Sequence, residues 1–261
     1  MRIAVLLLCL IACFANAETE KKPKPLSLDA ELGLISTTGN TQTKSLATKL
    51  DVKQELSSWR THYLFQSLYK QDKTQVVENG ETVTKNKTSA QRFYASSQAD
   101  YKLDEEHKGI FIFLSYEHDR FSGFDYQSTV AAGYSDRLFE TEKSFMDYSV
   151  GPGVAYSRTS PYIDKDGNLV ESENQHSAVM RLAFAYEHQF SDTAKFTQTL
   201  SADVALQGNA NTKSKSETAL TANLTKSFAL KASYLASHNS VVPDDKKNLD
   251  TQTALTFVYS Y

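Results

Sequence analysis

From Leu26 onward the apolar side chains recur at every second position, segment after segment, and only an extended strand places residues of that period on one side. The last segment is the clearest. Leu249, Thr251, Thr253, Leu255, Phe257, Tyr259 and Tyr261 share one face, while Asp250, Gln252, Thr256 and Ser260 share the other with Ala254 and Val258. Likewise Leu46, Thr48, Leu50 and Val52 stand opposite Ala47, Lys49, Asp51 and Lys53, and Met180, Leu182, Phe184 and Tyr186 opposite Arg181, Ala183, Ala185 and Glu187. Phe196, Leu200, Ala202 and Val204 oppose Lys195, Thr199, Ser201 and Asp203. Alternation and turn signals together predict about twelve strands, beginning near Leu26, Lys44, Arg60, Ser89, Gly109, Asp125, Phe145, His176, Ala194, Ser214, Phe228 and Asp250. Most run longer than about ten residues, whereas globular strands average about five or six and a tilted strand crossing a bilayer needs about nine to eleven.

A soluble sandwich or lipocalin-like barrel alternates too, but it hides its apolar face inside. With about twelve long strands that interior would be a very wide cavity of Tyr and Phe, and the opposite face carries charges of both signs that must be wet. The chain therefore reads as all-β, a transmembrane antiparallel up-and-down β-barrel over residues 26–261. Short turns at Ser57–Ser58, Asp104–His107, Glu140–Lys143, Ser191–Asp192 and Lys226–Ser227 alternate with longer connections at Lys73–Lys87, Thr159–Asn174, Gly208–Lys213 and Asn239–Asn248. Short periplasmic turns, longer outer loops and an even strand count would put both ends of the barrel in the periplasm, with the short Ser122–Gly123 connection as an exception. Tyr63, Tyr69, Tyr101, Tyr126, Tyr134, Tyr156, Phe228, Tyr234, Tyr259 and Tyr261 are expected to anchor the two interfaces.

The first 17 residues, MRIAVLLLCLIACFANA, combine Arg2, an apolar stretch and an Ala15–Ala17 AxA site, the pattern of a signal peptide cleaved after Ala17; residues 18–25 follow as a polar leader. A lipoprotein reading centred on Cys13 competes, with a very short apolar stretch before it. Both cysteines, Cys9 and Cys13, lie in this segment, so the exported chain would be free of thiols and disulfides. Only 40% of the residues are hydrophobic and no later apolar run approaches the roughly 20 residues of a spanning helix, which excludes a helical membrane protein. A net charge of −3 with mixed signs argues against a nucleic-acid partner. The expected location is the outer membrane of a Gram-negative bacterium.

Several motifs are familiar: TGNT at Thr38–Thr41, YEHDRFSGFDYQ at Tyr116–Gln127, AAGY at Ala131–Tyr134 and GPG at Gly151–Gly153. Together they resemble the YdiY-like family of salt-induced outer-membrane proteins, whose domain is of unknown function. The resemblance covers Leu26 to Tyr261 and implies a signal peptide, an outer-membrane barrel and, through the family's name alone, a link to salt or osmotic stress; it implies no catalytic site. The closing FVYSY, with Phe257, Tyr259 and Tyr261, resembles the carboxy-terminal signal read by the barrel assembly machinery, Tyr replacing the usual terminal Phe. Its plain reading is an amphipathic last strand. Gly39–Asn40 and Ser122–Gly123 suit tight reversals. Gly133, Gly151 and Gly153 sit within strands, marking bends or close backbone approach, or making lumenal room for an inserted group.

Three places invite chemistry. Glu117, His118 and Asp119 adjoin, but in a strand His118 faces away from the two carboxylates, so the trio cannot converge on a metal. Tyr186, Glu187 and His188 split in the same way, and no local Ser and His arrangement resembles that of the outer-membrane phospholipases. DKDGN at Asp164–Asn168 lacks the acidic twelfth position of a calcium loop, which is Gln175 here, and reads as a turn. What remains is a lumen lined by Glu31, Lys49, Asp51, Lys53, Arg92, Asp100, Lys102, Glu117, Asp119, Arg137, Arg181, Glu187, Lys195, Asp203 and Glu217. Such charges either select small polar solutes or ions in a hydrated pore or pair to seal the barrel, and the sequence leaves both open. The expectation is a non-enzymatic barrel without cofactor or metal, embedded in outer-membrane lipid and serving solute passage or envelope adaptation. A closed barrel and a membrane-embedded lipid hydrolase are its alternatives.

Overall fold

The computed structural model describes residues 26–37, 43–78, 81–103, 107–164, 166–243 and 246–261. The expected signal peptide, residues 1–17, the leader, 18–25, and the TGNT motif lie outside them. The strands are β1 (Leu26–Thr37), β2 (Thr43–Glu55), β3 (Trp59–Glu78), β4 (Glu81–Lys102), β5 (Gly109–Asp119), β6 (Phe124–Glu140), β7 (Ser144–Thr159), β8 (Tyr162–Ile163), β9 (Leu169–Val170), β10 (Asn174–Ser191), β11 (Ala194–Ala205), β12 (Lys213–Asn223), β13 (Phe228–Asn239) and β14 (Leu249–Ser260). All but β8 and β9 form one closed antiparallel barrel in sequential order, with β1 paired to both β2 and β14. Closure leaves no unpaired sheet edge, the condition a strand-built membrane protein must meet because lipid cannot hydrogen-bond an open edge.

Four expected starts, Leu26, Gly109, Ala194 and Phe228, coincide with observed ones, and most others differ by one or two residues. The exception is instructive. Lys73–Lys87, read as a loop, continues the β3–β4 ladder through Val76↔Val83 to Glu78↔Glu81. Its polar composition suggested a loop, but its β-branched residues flank an Asn79–Gly80 hairpin signal. The Thr159–Asn174 connection carries the β8–β9 hairpin. There Asp164 Oδ1 accepts the backbone N–H of Asp166 and Asn168, and Gly167 takes a left-handed φ of 83°. The Asn168 backbone hydrogen bond holds the Asp164 carboxyl below the usual carboxylate range.

Residues paired across a ladder share a face, so one known orientation propagates around the ring. Ile112, Leu255 and Phe257 point outward and are 59%, 60% and 64% exposed, whereas Phe111 on the inner face is 0% exposed. The barrel is thus inverted relative to a soluble protein, with its large apolar side chains outside, where only lipid would cover them. Aromatic pairs mark the rims. Trp59 and Tyr101 meet edge to face at 5.2 Å, and Phe228 and Tyr259 at 5.4 Å, near the end that carries Leu26 and Tyr261; Tyr116 and Tyr126 stack at 6.3 Å toward the other end. We call these the near and far rims.

The inner face of β5–β7 is packed with apolar and small residues. Phe111, Phe113 and Ala131 form a buried cluster, and beside it Gly133 and Gly151 bring β6 and β7 unusually close. A Cβ on Gly133 would sit 2.2 Å from the Val150 carbonyl oxygen, and one on Gly151 2.1 Å from that of Ala132. These glycines mark a close backbone approach.

Candidate functional site in the barrel lumen

Three groups of charged contacts occupy the lumen. In the first, Lys213 Nζ and Lys215 Nζ on β12 each lie 2.6 Å from Glu117 Oε2 on β5. Lys213 also donates to Gln127 Oε1 at 2.6 Å, and Lys215 Nζ stands 3.7 Å from the centroid of the Tyr94 ring on β4. Strands β12 and β4 are six places apart in the ring of twelve, so this contact crosses a full diameter. In the second, Arg181 Nη1 donates to Asp203 Oδ1 at 2.7 Å while its guanidinium carbon lies 3.4 Å from the centroid of Phe113, and Thr129 donates to Asp203 Oδ2 at 2.9 Å. In the third, Lys231 Nζ bridges Glu31 at 2.9 Å and Glu217 at 2.8 Å, and Lys49 Nζ donates to Glu217 at 3.2 Å. Partnered charges of this kind meet the requirement that buried ions be compensated. Arg181 Nε is a remainder, buried without a hydrogen-bond partner.

The other residues expected in the lumen are distributed between these groups and the rims. Arg92 Nη2 donates to Gln252 at 3.4 Å, and Asp100 accepts from Ser135 Oγ at 2.5 Å. Toward the near rim, Arg137 pairs with Asp147 at 2.6 Å, Lys195 with Glu187 at 3.3 Å, Asp51 with His62 at 2.9 Å and Lys102 with Glu55. Lys53 is exposed there. Asp119 serves a turn, accepting the Phe121 N–H at 2.9 Å. Glu117, His118 and Asp119 therefore part company: the first takes two lysines, His118 Nδ1 meets the Asp125 carbonyl at 2.5 Å, and the third caps the β5–β6 connection. Among the described residues no group of His, Cys, Asp and Glu could hold a metal ion.

Sequence reading missed Lys213, Lys215 and Lys231, although Lys213 and Lys215 share the parity of Glu217 in KSKSE. It also missed an outward pair, Ser144 Oγ and His188 Nδ1, 2.7 Å apart across the β7–β10 ladder. Among the described residues no carboxylate hydrogen-bonds to that imidazole, so the pair lacks the orienting third member of a hydrolytic triad.

Two small cavities lie among these groups. One cavity of about 50 Å³ is lined by Gln127, Thr129, Ser157, Gln175, Asn211 and Lys213 among others; another of about 50 Å³ is lined by Glu31, Lys49, Gln66, Arg92, Glu217 and Gln252 among others. They share no lining residue. The far rim is also bridged. The β13–β14 connection lies opposite the β5–β6 turn in the ring, yet Pro243 packs against Gly123 so closely that a Cβ there would be 2.7 Å from the proline Cδ. Gln127 Nε2 donates to Asn239 Oδ1 at 3.0 Å, and the Val241 N–H to Asn211 Oδ1 at 3.1 Å, fastening this strap on the inner side.

A family model described as a protein of unknown function, DUF481, matches residues 30–261. The uncharacterized protein YdiY of Escherichia coli (strain K12) is 26% identical over 238 residues, which is 91% of this chain and 84% of YdiY. Among solved structures, the translocator domain of the autotransporter NalP from Neisseria meningitidis superposes with a TM-score of 0.50 at 10% identity, covering 100% of this chain and 95% of that domain. The NanC porin matches with a TM-score of 0.45 at 10% identity over 89% of this chain and 97% of its own. At such identity the likeness to NalP speaks to the barrel fold alone.

Proposed function

Since the chain belongs to the DUF481 family of proteins of unknown function, we infer its role from its own lumen: an outer-membrane barrel, sealed at rest by ion pairs, that passes small ions or polar solutes when those pairs give way. The observation that carries this reading is the double contact of Lys213 and Lys215 with Glu117, which bridges β12 and β5 across the barrel interior. Charges that face one another across a narrow passage bar it while paired and select among ions once parted. The orientation follows from the even strand count, with the near rim periplasmic and the Pro243 strap over the outer mouth. Residues 1–17 act as the export signal, Phe257, Tyr259 and Tyr261 as the mark for the barrel assembly machinery, and no catalysis is involved. A path that opens only when ion pairs loosen suits salt or osmotic stress.

The test is conductance of the refolded chain in a planar bilayer, native against Lys213→Gln/Lys215→Gln. The native barrel should give rare, small steps and the double variant larger, more frequent ones. Silence from both, with folding and insertion verified, would overturn the pore and favour the closed structural barrel, which the tight packing of Arg181 over Phe113 also supports.

A further inference from the structure

The two lumenal cavities differ in chemistry. The second is walled by charges, Glu31, Lys49, Arg92 and Glu217. The first is built on two inward rungs of the β6–β7–β10 ladder: Gln127, Ser157 and Gln175 form one, and Thr129, Ala155 and Ser177 the next. Asp203 of β11, Asn211 and Lys213 of β12 complete it.

The charges in the first cavity are already matched. Asp203 takes Arg181 and Thr129, and Lys213 reaches Glu117 and Gln127. The unmatched groups are neutral: among the described residues, the side chains of Ser157, Gln175 and Ser177 have no hydrogen-bond partner. Ser177 is the most telling of them. It is only 7% exposed, and its inward side chain lines the cavity. A hydroxyl so placed costs free energy unless the contents of the cavity bond to it.

We propose that this cavity is a binding site for a small uncharged polyol. Serine hydroxyls and a carboxamide both donate and accept, as does every hydroxyl of such a solute, so each free group can be satisfied in either sense. An ionic solute would find no spare charge, because Lys213 and Asp203 are engaged. The methyl group of Ala155, between Thr129 and Ser177 on its rung, offers contact to a C–H face. The volume of about 50 Å³ has room for roughly three to five waters, which a polyol of about three or four carbons would displace. Gln175 is exposed, leaving the cavity open toward the far mouth. This names a solute for the pore inferred above and rests on that reading for passage, whereas binding does not require conduction.

Saturation-transfer NMR of erythritol with the refolded full chain in amine-oxide micelles reads binding alone. Erythritol should give a difference signal with the native chain, and glycerate, a comparable molecule carrying a carboxylate, should give none. In Gln175→Ala/Ser177→Ala the concentration at half-maximal signal should rise about tenfold, since two hydrogen bonds are lost. Leu114→Ala on the outer wall should leave it unchanged. No signal from the native chain, an equal signal from glycerate, or an unshifted midpoint in a double variant shown to be folded by its gel mobility before heating would each overturn the site. A specific erythritol signal from a barrel that is silent in planar bilayers would overturn passage and keep the site; conductance without an erythritol signal would do the reverse.

Discussion

The lumen has two halves made from the same alternating pattern, and they are held in different ways. Along β5–β7 the inner face carries buried Phe111, Phe113 and Ala131 and three glycines in close backbone contact, with Glu117 toward its far end. Along β12, β13, β1 and β2 it is Lys213, Lys215, Glu217, Lys231, Glu31 and Lys49, meeting through ion pairs. Close packing is intolerant of small displacements, because dispersion falls steeply with distance. Ion pairs beside water-sized cavities can exchange partners for water or a passing ion. In the pore we infer, the first half is the frame and the second the part that yields.

The sharpest break would come at Gly151. Gly151→Ala places a Cβ 2.1 Å from the Ala132 carbonyl oxygen, so the β6–β7 ladder cannot form as it stands. We expect no heat-modifiable folded species on a gel of unheated refolding mixtures. Phe111→Ala should fold but lose about 3–5 kcal/mol, the usual cost of emptying a packed phenylalanine site, read as a lowered urea midpoint. Glu117→Gln removes the shared anion of Lys213 and Lys215; the loss should be smaller, about 1–3 kcal/mol, because glutamine keeps an acceptor oxygen there and Lys213 borders a water-sized cavity. The same variant should move ion selectivity toward anions. Lys195→Gln, which breaks a half-exposed pair with Glu187 at the near rim, should cost at most about 1 kcal/mol. Should Glu117→Gln prove as damaging as Phe111→Ala, the yielding half would be as rigid as the frame and the distinction would fall.

Much of this was legible in advance, for reasons that also explain what was not. Glu31, Lys49 and Asp203 could be placed inward because each adjoins a large apolar residue, Leu32, Leu50 and Val204. Lys231 stands between Leu230 and Ala232 and was overlooked, while Lys213 and Lys215 stand among serines that offer no apolar contrast. Phe111 and Phe113 pose the converse problem. In GIFIFLSYEH both faces are apolar, and only counting by twos from Glu117 turns the phenylalanines inward. Which lysine meets which carboxylate depends on strands distant in sequence, as in Lys49 and Glu217, 168 residues apart. Nor could the chain's local polarity reveal that β3 runs on to Glu78 and that β4 begins at Glu81, since cross-strand pairing there satisfies a backbone that composition alone would leave to water.

That same stretch has a geometric consequence. Beyond Asp72, the last β3 residue that β2 pairs with, β3 and β4 continue for six rungs, Lys73↔Asn86 to Glu78↔Glu81, and among the described residues these rungs pair only with each other. At about 3.4 Å per residue the ribbon reaches roughly 20 Å past its neighbours. Among the described residues the outer edges of those rungs are paired by no barrel strand, so the closure that spares the membrane-level strands an open edge does not extend to this ribbon.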